Sequence, residues 1–137
     1  MVCFFVSQCR LRSFLTDDEH EIETNVAMFV QWSEGTDILP RPHGIVVVDY
    51  VNQDDLYPYH SEVRIRQDVT GVFLVTAPQN SSVISLIRWG NIRLRRPQFA
   101  LQKEMEHLAR EGIVKWGNVI PQVMRERLAE AENSRLQ

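Results

Sequence analysis

Arg88-Trp89-Gly90-Asn91-Ile92 and Lys115-Trp116-Gly117-Asn118-Val119 are two versions of one phrase: a base, Trp, Gly, Asn, then a β-branched aliphatic. An aliphatic residue precedes each copy (Ile87, Val114), and Pro97-Gln98-Phe99 and Pro121-Gln122-Val123 follow them. The chain has only 3 Trp in 137 residues, so two in such a shared context read as a small internal duplication. The duplicated unit reads as strand, Trp-Gly-Asn turn, Pro-Gln, amphipathic helix. Pro97 suits a first helical position, and Leu101, Met105 and Leu108 form a helical stripe with Gly112 as its stop. Pro121 opens a second helix carrying Met124, Leu128 and Ala131 on one face. Between them, Ile113 to Ile120 reads as a short strand holding the second Trp-Gly-Asn.

Upstream of the repeat the chain reads as strands. Val2 to Cys9, Val26 to Val30, Ile45 to Val48 and Val72 to Val75 are nearly continuous apolar runs, the pattern of strands covered on both faces. Glu62-Val63-Arg64-Ile65-Arg66 and Ile92-Arg93-Leu94-Arg95 alternate instead, with a row of arginines on the open face. Thr16 to Thr24 reads as an acidic loop, and Asp37 to Gly44 and Asn52 to His60 as Pro-containing loops. Asp68 to Gly71 reads as a hairpin and Pro78 to Ser82 as a polar turn. The expected fold is therefore α+β: an antiparallel sheet or partial barrel of six to eight strands, followed by two C-terminal amphipathic helices packed on one side. Residues 1–137 form a single domain in this reading, mainly β over 1–96 and mainly helical over 97–137.

Composition sets the class. Apolar residues make up 44% and charged residues 24%, ordinary globular values that exclude a mostly disordered chain. No stretch has the length of a membrane span, and the apolar opening lacks the features of a signal peptide. Cys3 and Cys9 share a strand face but lie too far apart along it to pair. Two buried free thiols indicate a reducing compartment, read as the cytoplasm, with the nucleus also compatible. Asn80-Ser81-Ser82 fits a glycosylation sequon and reads there only as a turn.

Net charge is −3 and is unevenly placed. Residues 1–61 hold three Arg against ten Asp and Glu, a balance of −7. Residues 62–96 hold six Arg against Glu62 and Asp68, a balance of +4, and residues 97–137 are neutral. An acidic front and a basic middle suit association with a second copy, or one basic face turned to a partner.

Three functions compete for these residues. In the first, the chain is a non-enzymatic binding module that self-associates or docks on a partner protein, with Trp89, Trp116, Tyr57 and Tyr59 as aromatic anchors. In the second, Arg64, Arg66, Arg88, Arg93, Arg95 and Arg96 hold the phosphates of single-stranded RNA or DNA, and Trp89 stacks on its bases. The overall acidity and the lack of a recognised nucleic-acid module signature weigh against this reading. In the third, His43 or His60 works with Asp49 or Asp55 as an acid–base pair in a metal-assisted hydrolase. No nucleophile elbow or phosphate-cradling glycine loop accompanies them, so no catalytic residue is assigned and the balance is against an enzyme. The acidic run Asp17 to Glu23 has neither calcium-loop nor zinc spacing, and no metal or cofactor is assigned. The terminal Ser134-Arg135-Leu136-Gln137 resembles the pattern cut by 3C-like proteases of positive-strand RNA viruses, which favour Leu-Gln at the cut. That resemblance covers four residues, points to a viral source, and implies nothing about fold or activity.

Overall fold

A computed structural model describes residues 2–14, 20–77 and 83–135. The expected turn at Pro78 to Ser82, the acids Asp17 to Glu19 and the terminal Leu136-Gln137 lie outside the described residues, as does the side chain of Trp116. The chain divides into two compact units, Met1–Leu101 and Gln102–Gln137.

The first unit is an open antiparallel sheet of five strands, β1 (Val2–Phe14), β2 (Glu21–Ser33), β3 (His43–Tyr50), β4 (Arg64–Thr76) and β5 (Ser85–Arg95). Spatial order follows chain order. β3 has 8 residues between neighbours of 13, so it runs out before they do. Beyond its end β2 and β4 meet directly as a parallel pair, Glu21 to Thr24 against Arg64 to Gln67. Residues 51–63 connect β3 to β4 there.

The sheet corrects the expected six to eight strands, for two physical reasons. Asp68-Val69-Thr70-Gly71 does not turn: it lies inside β4, which joins the two runs read as separate strands. Asp68 tolerates a strand interior because three guanidinium groups neutralise it, as described below. Gly71 serves close approach, since it faces Gly90 across the ladder and a Cβ on it would lie 3.2 Å from the Trp89 carbonyl oxygen. The second reason is the C-terminal repeat. Its first copy lies in β5, but residues 113–120 are helical rather than a strand. Nor is Thr16 to Thr24 wholly a loop, because β2 begins at Glu21.

The second unit is helical from Lys103 to Arg135, called α1. It covers the second stretch read as a helix and the first from Lys103 onward, and the segment between them is helical too. Pro97 lies outside it, buried in the loop after β5, and Gly112 does not end it. Glu104 and Glu106 in the first turn favour the positive end of the helix dipole. Pairs such as Arg110–Glu106 (2.8 Å) and Arg127–Glu130 (3.0 Å) stabilise its surface. No helix among the described residues is long and apolar enough to cross a membrane.

Pro121 stands inside α1, where it offers no N–H to the preceding turn. An interior proline costs a helix about 3 kcal/mol relative to alanine. Pro121→Ala should therefore raise helical ellipticity at 222 nm and the thermal midpoint; an unchanged or weaker helix signal would show that the helix breaks at this point.

Candidate functional site: a charged network beside an apolar field

Strand alternation and the ladder registers sort the side chains onto two faces. The front face carries Phe4, Val6, Gln8, Arg10 and Arg12 of β1, Glu21, Glu23, Asn25 and Phe29 of β2, and Ile45 and Val47 of β3. It continues with Arg64, Arg66, Asp68, Val72 and Leu74 of β4 and Ile87, Trp89, Arg93 and Arg95 of β5. One end of this face is charged and the other is apolar.

At the charged end, Glu23 is 2% exposed and accepts both oxygens' worth of bonds from Arg10 (Nε and Nη2, each 3.1 Å) and a third from Arg64 Nη1 (2.9 Å). Arg64 also donates through Nε to Glu21 (3.0 Å), which Arg12 grips with Nε and Nη2. Asp68 is 3% exposed and accepts from Arg66 Nε (2.8 Å), Arg93 Nη2 (2.9 Å) and Arg95 Nε (2.7 Å). The register sets Arg66 directly opposite Arg95, a like-charge pair that is unfavourable by itself. Asp68 bonds both and makes the pairing tenable.

The 51–63 loop closes over these charges. Arg66 donates to the carbonyl oxygens of Val51 and Asn52, and Arg95 to Asn52 Oδ1 (2.6 Å). Asp54 accepts from Asn25 (2.8 Å) and Gln8 (2.9 Å) and turns the loop by accepting the backbone N–H groups of Leu56 and Tyr57. Aromatic rings lie against the cations: Tyr57 on Arg10 at 5.0 Å, Tyr59 on Arg66 at 5.7 Å, Tyr50 on Arg93 at 5.5 Å. Tyr59 also donates its hydroxyl to the Arg64 carbonyl (2.7 Å). A cleft of ≈ 240 Å³ remains beneath the loop, lined by Glu23, Asn25, Asp54, Tyr57, Tyr59 and Arg66. No buried side-chain nitrogen or oxygen among the described residues lacks a partner, so none is aimed at a ligand.

The arginines of the nucleic-acid reading are thus divided. Arg64, Arg66, Arg93 and Arg95 meet on the front face and spend their charge on Glu21, Glu23 and Asp68; Arg88 lies exposed on the back face. Arg96 is exposed just past β5. No hydrogen bond or ion pair among the described residues joins His43 or His60 to Asp49 or Asp55. His43 and Asp49 stand six positions apart on β3, about 20 Å in an extended strand. His43 is buried and bonds the Arg41 carbonyl (2.8 Å), while His60 bonds Glu62 (3.0 Å) and Asp55 bonds Gln53 (2.8 Å). Among the described residues no group of His, Cys, Asp and Glu forms a metal cluster. Cys9 is free and half-buried rather than buried.

At the apolar end, two rows run straight across all five strands. Phe4, Gln31, Ile45, Leu74 and Ile87 form one; Val6, Phe29, Val47, Val72 and Trp89 form the other. Neither row holds a charge. Phe4 is 63% exposed, Ile87 62% and Trp89 61%. The sequence pattern foresaw strands covered on both faces; yet Val26 and Ile65 are the only buried large apolar side chains described in the sheet. Phe5, next to Phe4 and on the opposite face, is 60% exposed. The field escaped the sequence reading because its two rows form only when five strands are in register.

Asp68→Ala should destabilise the sheet unit by about 3–5 kcal/mol, because it leaves Arg66, Arg93 and Arg95 without a counter-charge. Urea unfolding measures this; a loss as small as a surface substitution's would show the network to be ornamental. Acid should act on the same groups. Burial pushes the Asp68 carboxyl up, but its bonds to Arg95, Arg93 and Arg66 outweigh that and hold it below the usual range. The Arg12 bond holds Glu21 low, and the Asn25 bond holds Asp54 low. A depressed carboxylate stabilises the fold above its unfolded value, and that stability is lost as pH falls through the folded value. Urea midpoints should therefore hold steady from neutral pH to about 5 and drop below about 4, where unfolded carboxylates titrate. Asp68→Asn should flatten the drop; an identical drop would place its origin elsewhere.

No protein-family model, curated protein or solved structure matches this chain.

Proposed function

We propose that the chain is a non-enzymatic binding and assembly module whose working surface is the apolar half of the front face. The observation that carries this is the field of ten residues in two rows, nine of them apolar and none charged, left open at Phe4, Val6, Phe29, Val72, Ile87 and Trp89. Those six side chains expose on the order of 500 Å² together, at the upper end of the largest patches on ordinary monomers. The sheet is apolar on its back face as well, at Phe5, Val30 and Trp32.

Three of the aromatic anchors divide in their roles. Trp89 belongs to the field, whereas Tyr57 and Tyr59 lie against Arg10 and Arg66 and support the loop. Arg64 ties the acidic block to the basic one through Glu21 and Glu23, and the remaining paired arginines of the sheet are neutralised within their own block, so the apolar field supplies most of the attraction.

Trp89→Ser tests the reading. The substitution should leave the far-ultraviolet spectrum unchanged and shift stability by no more than about 1 kcal/mol, as at a surface position. It should lower either the assembled mass, if the field is covered by another protein, or the binding of a hydrophobic dye, if the field is open. Unfolding of the variant would instead make Trp89 part of the chain's own core and end the proposal.

A further inference from the structure

Building on the assembly reading, we infer that the occupant of the apolar field is a second copy of the same chain, stacked face to face on the first. Three observations select this occupant. The field is uncharged from edge to edge; beyond it Arg10, Arg66 and Arg95 are paired with Glu23 and Asp68, and the one charge in the adjacent row, Asp49, is an anion that accepts from Thr70, so among the described residues no free cation there would recognise an acidic peptide or a nucleic acid. Its outline is that of a sheet, five strands wide and two rows deep, and sheets cover such surfaces best with another sheet at about 10 Å. A second copy carries the same uncovered field, so one contact relieves both, as an isologous twofold interface does. Two fields of this size bury on the order of 1,000 Å² between them, enough for a specific but modest dimer.

The back face fits this role less well. Phe5, Val30 and Trp32 cluster at the β1–β2 side, and Arg88 stands exposed on β5. The 51–63 loop sets the orientation on the front. It is bonded to Gln8, Asn25, Arg66 and Arg95 and therefore rises above the charged end of that face. Two copies can approach closely only if their loops project beyond opposite ends of the contact. The twofold axis then runs along the apolar rows, across the strands.

Phe4 and Phe5 provide the test, being adjacent, nearly equal in exposure and on opposite faces. Sedimentation equilibrium of the intact chain over two decades of concentration should give a mass twice that of the monomer. Phe4→Lys and Ile87→Lys should each raise the dissociation constant about a hundredfold or more, as substitutions in a desolvated contact do, with circular dichroism unchanged. Phe5→Lys should leave it within a few-fold of the parent value. A dissociation equal for Phe4→Lys and Phe5→Lys would overturn the choice of face. A parent chain that is monomeric throughout would overturn the second copy as occupant, and dye binding then separates the two ideas. A monomer whose dye binding is abolished by Phe4→Lys keeps the assembly surface for a different protein; a monomer that binds no dye removes both.

Discussion

The bonds that Glu23 and Asp68 accept are the constraint on which the sheet depends. A carboxylate taken nearly out of water is unfavourable unless charged donors meet it with good geometry. Each of these two is met by guanidinium groups from more than one place in the chain: Glu23 from β1 and β4, Asp68 from β4 and β5. Slipping β1, β4 or β5 by one residue would turn its arginines to the other face and leave a buried charge bare. The ion pairs are modest as sources of stability, but as fixers of register they are strong. They hold four strands in one alignment, and that alignment brings Phe4 into line with Ile87 and Val6 with Trp89.

The short third strand gives the network its place. Because β3 ends at Tyr50, β2 and β4 close directly on one another, and Glu21 and Glu23 come beside Arg64 and Arg66. The chain leaving β3 has only the charged end of the face to cross, and it is tied there by Arg66, Arg95, Asn25 and Gln8. Tyr57 and Tyr59 contribute as flat lids on cations, which keeps guanidinium groups ordered while sparing them full desolvation.

Much of this was legible in the sequence, and the failures have causes. Alternation in Ile92-Arg93-Leu94-Arg95 correctly placed the arginines on one face, but sequence distance hid their partners: Asp68 lies twenty-five residues from Arg93. Asp68 to Gly71 carries turn residues, and local chemistry alone favours a turn; the neighbouring Arg66 and the distant Arg93 and Arg95 override it. The repeated phrase misled for a related reason. Arg88-Trp89-Gly90-Asn91-Ile92 is extended because β4 offers it a ladder, and Lys115-Trp116-Gly117-Asn118-Val119 is helical between long stretches of good helix formers. Propensity within five residues is too weak to decide between them. The apolar runs announced strands covered on both faces, yet Phe4, Phe5, Ile87 and Trp89 are each more than half exposed.

In the proposed assembly, geometry decides how the apolar field is covered. β1 and β5 are open edges, and joining copies edge to edge would satisfy their free backbone groups. It would also extend the sheet without covering any of it, leaving Phe4, Phe29, Val72 and Trp89 as wet as before. Hydrophobic gain scales with area removed from water, at roughly 25 cal/mol per Å², so only contact through the face recovers it. The charged end of the same face limits that contact. Its buried carboxylates and the loop above them offer nothing to an apolar surface, so a partner sheet sliding along the strands soon loses area. A band two rows deep, ending in a fixed network on one side, has one favourable overlap. The charges that hold the strands in register thereby also define where a second layer can sit.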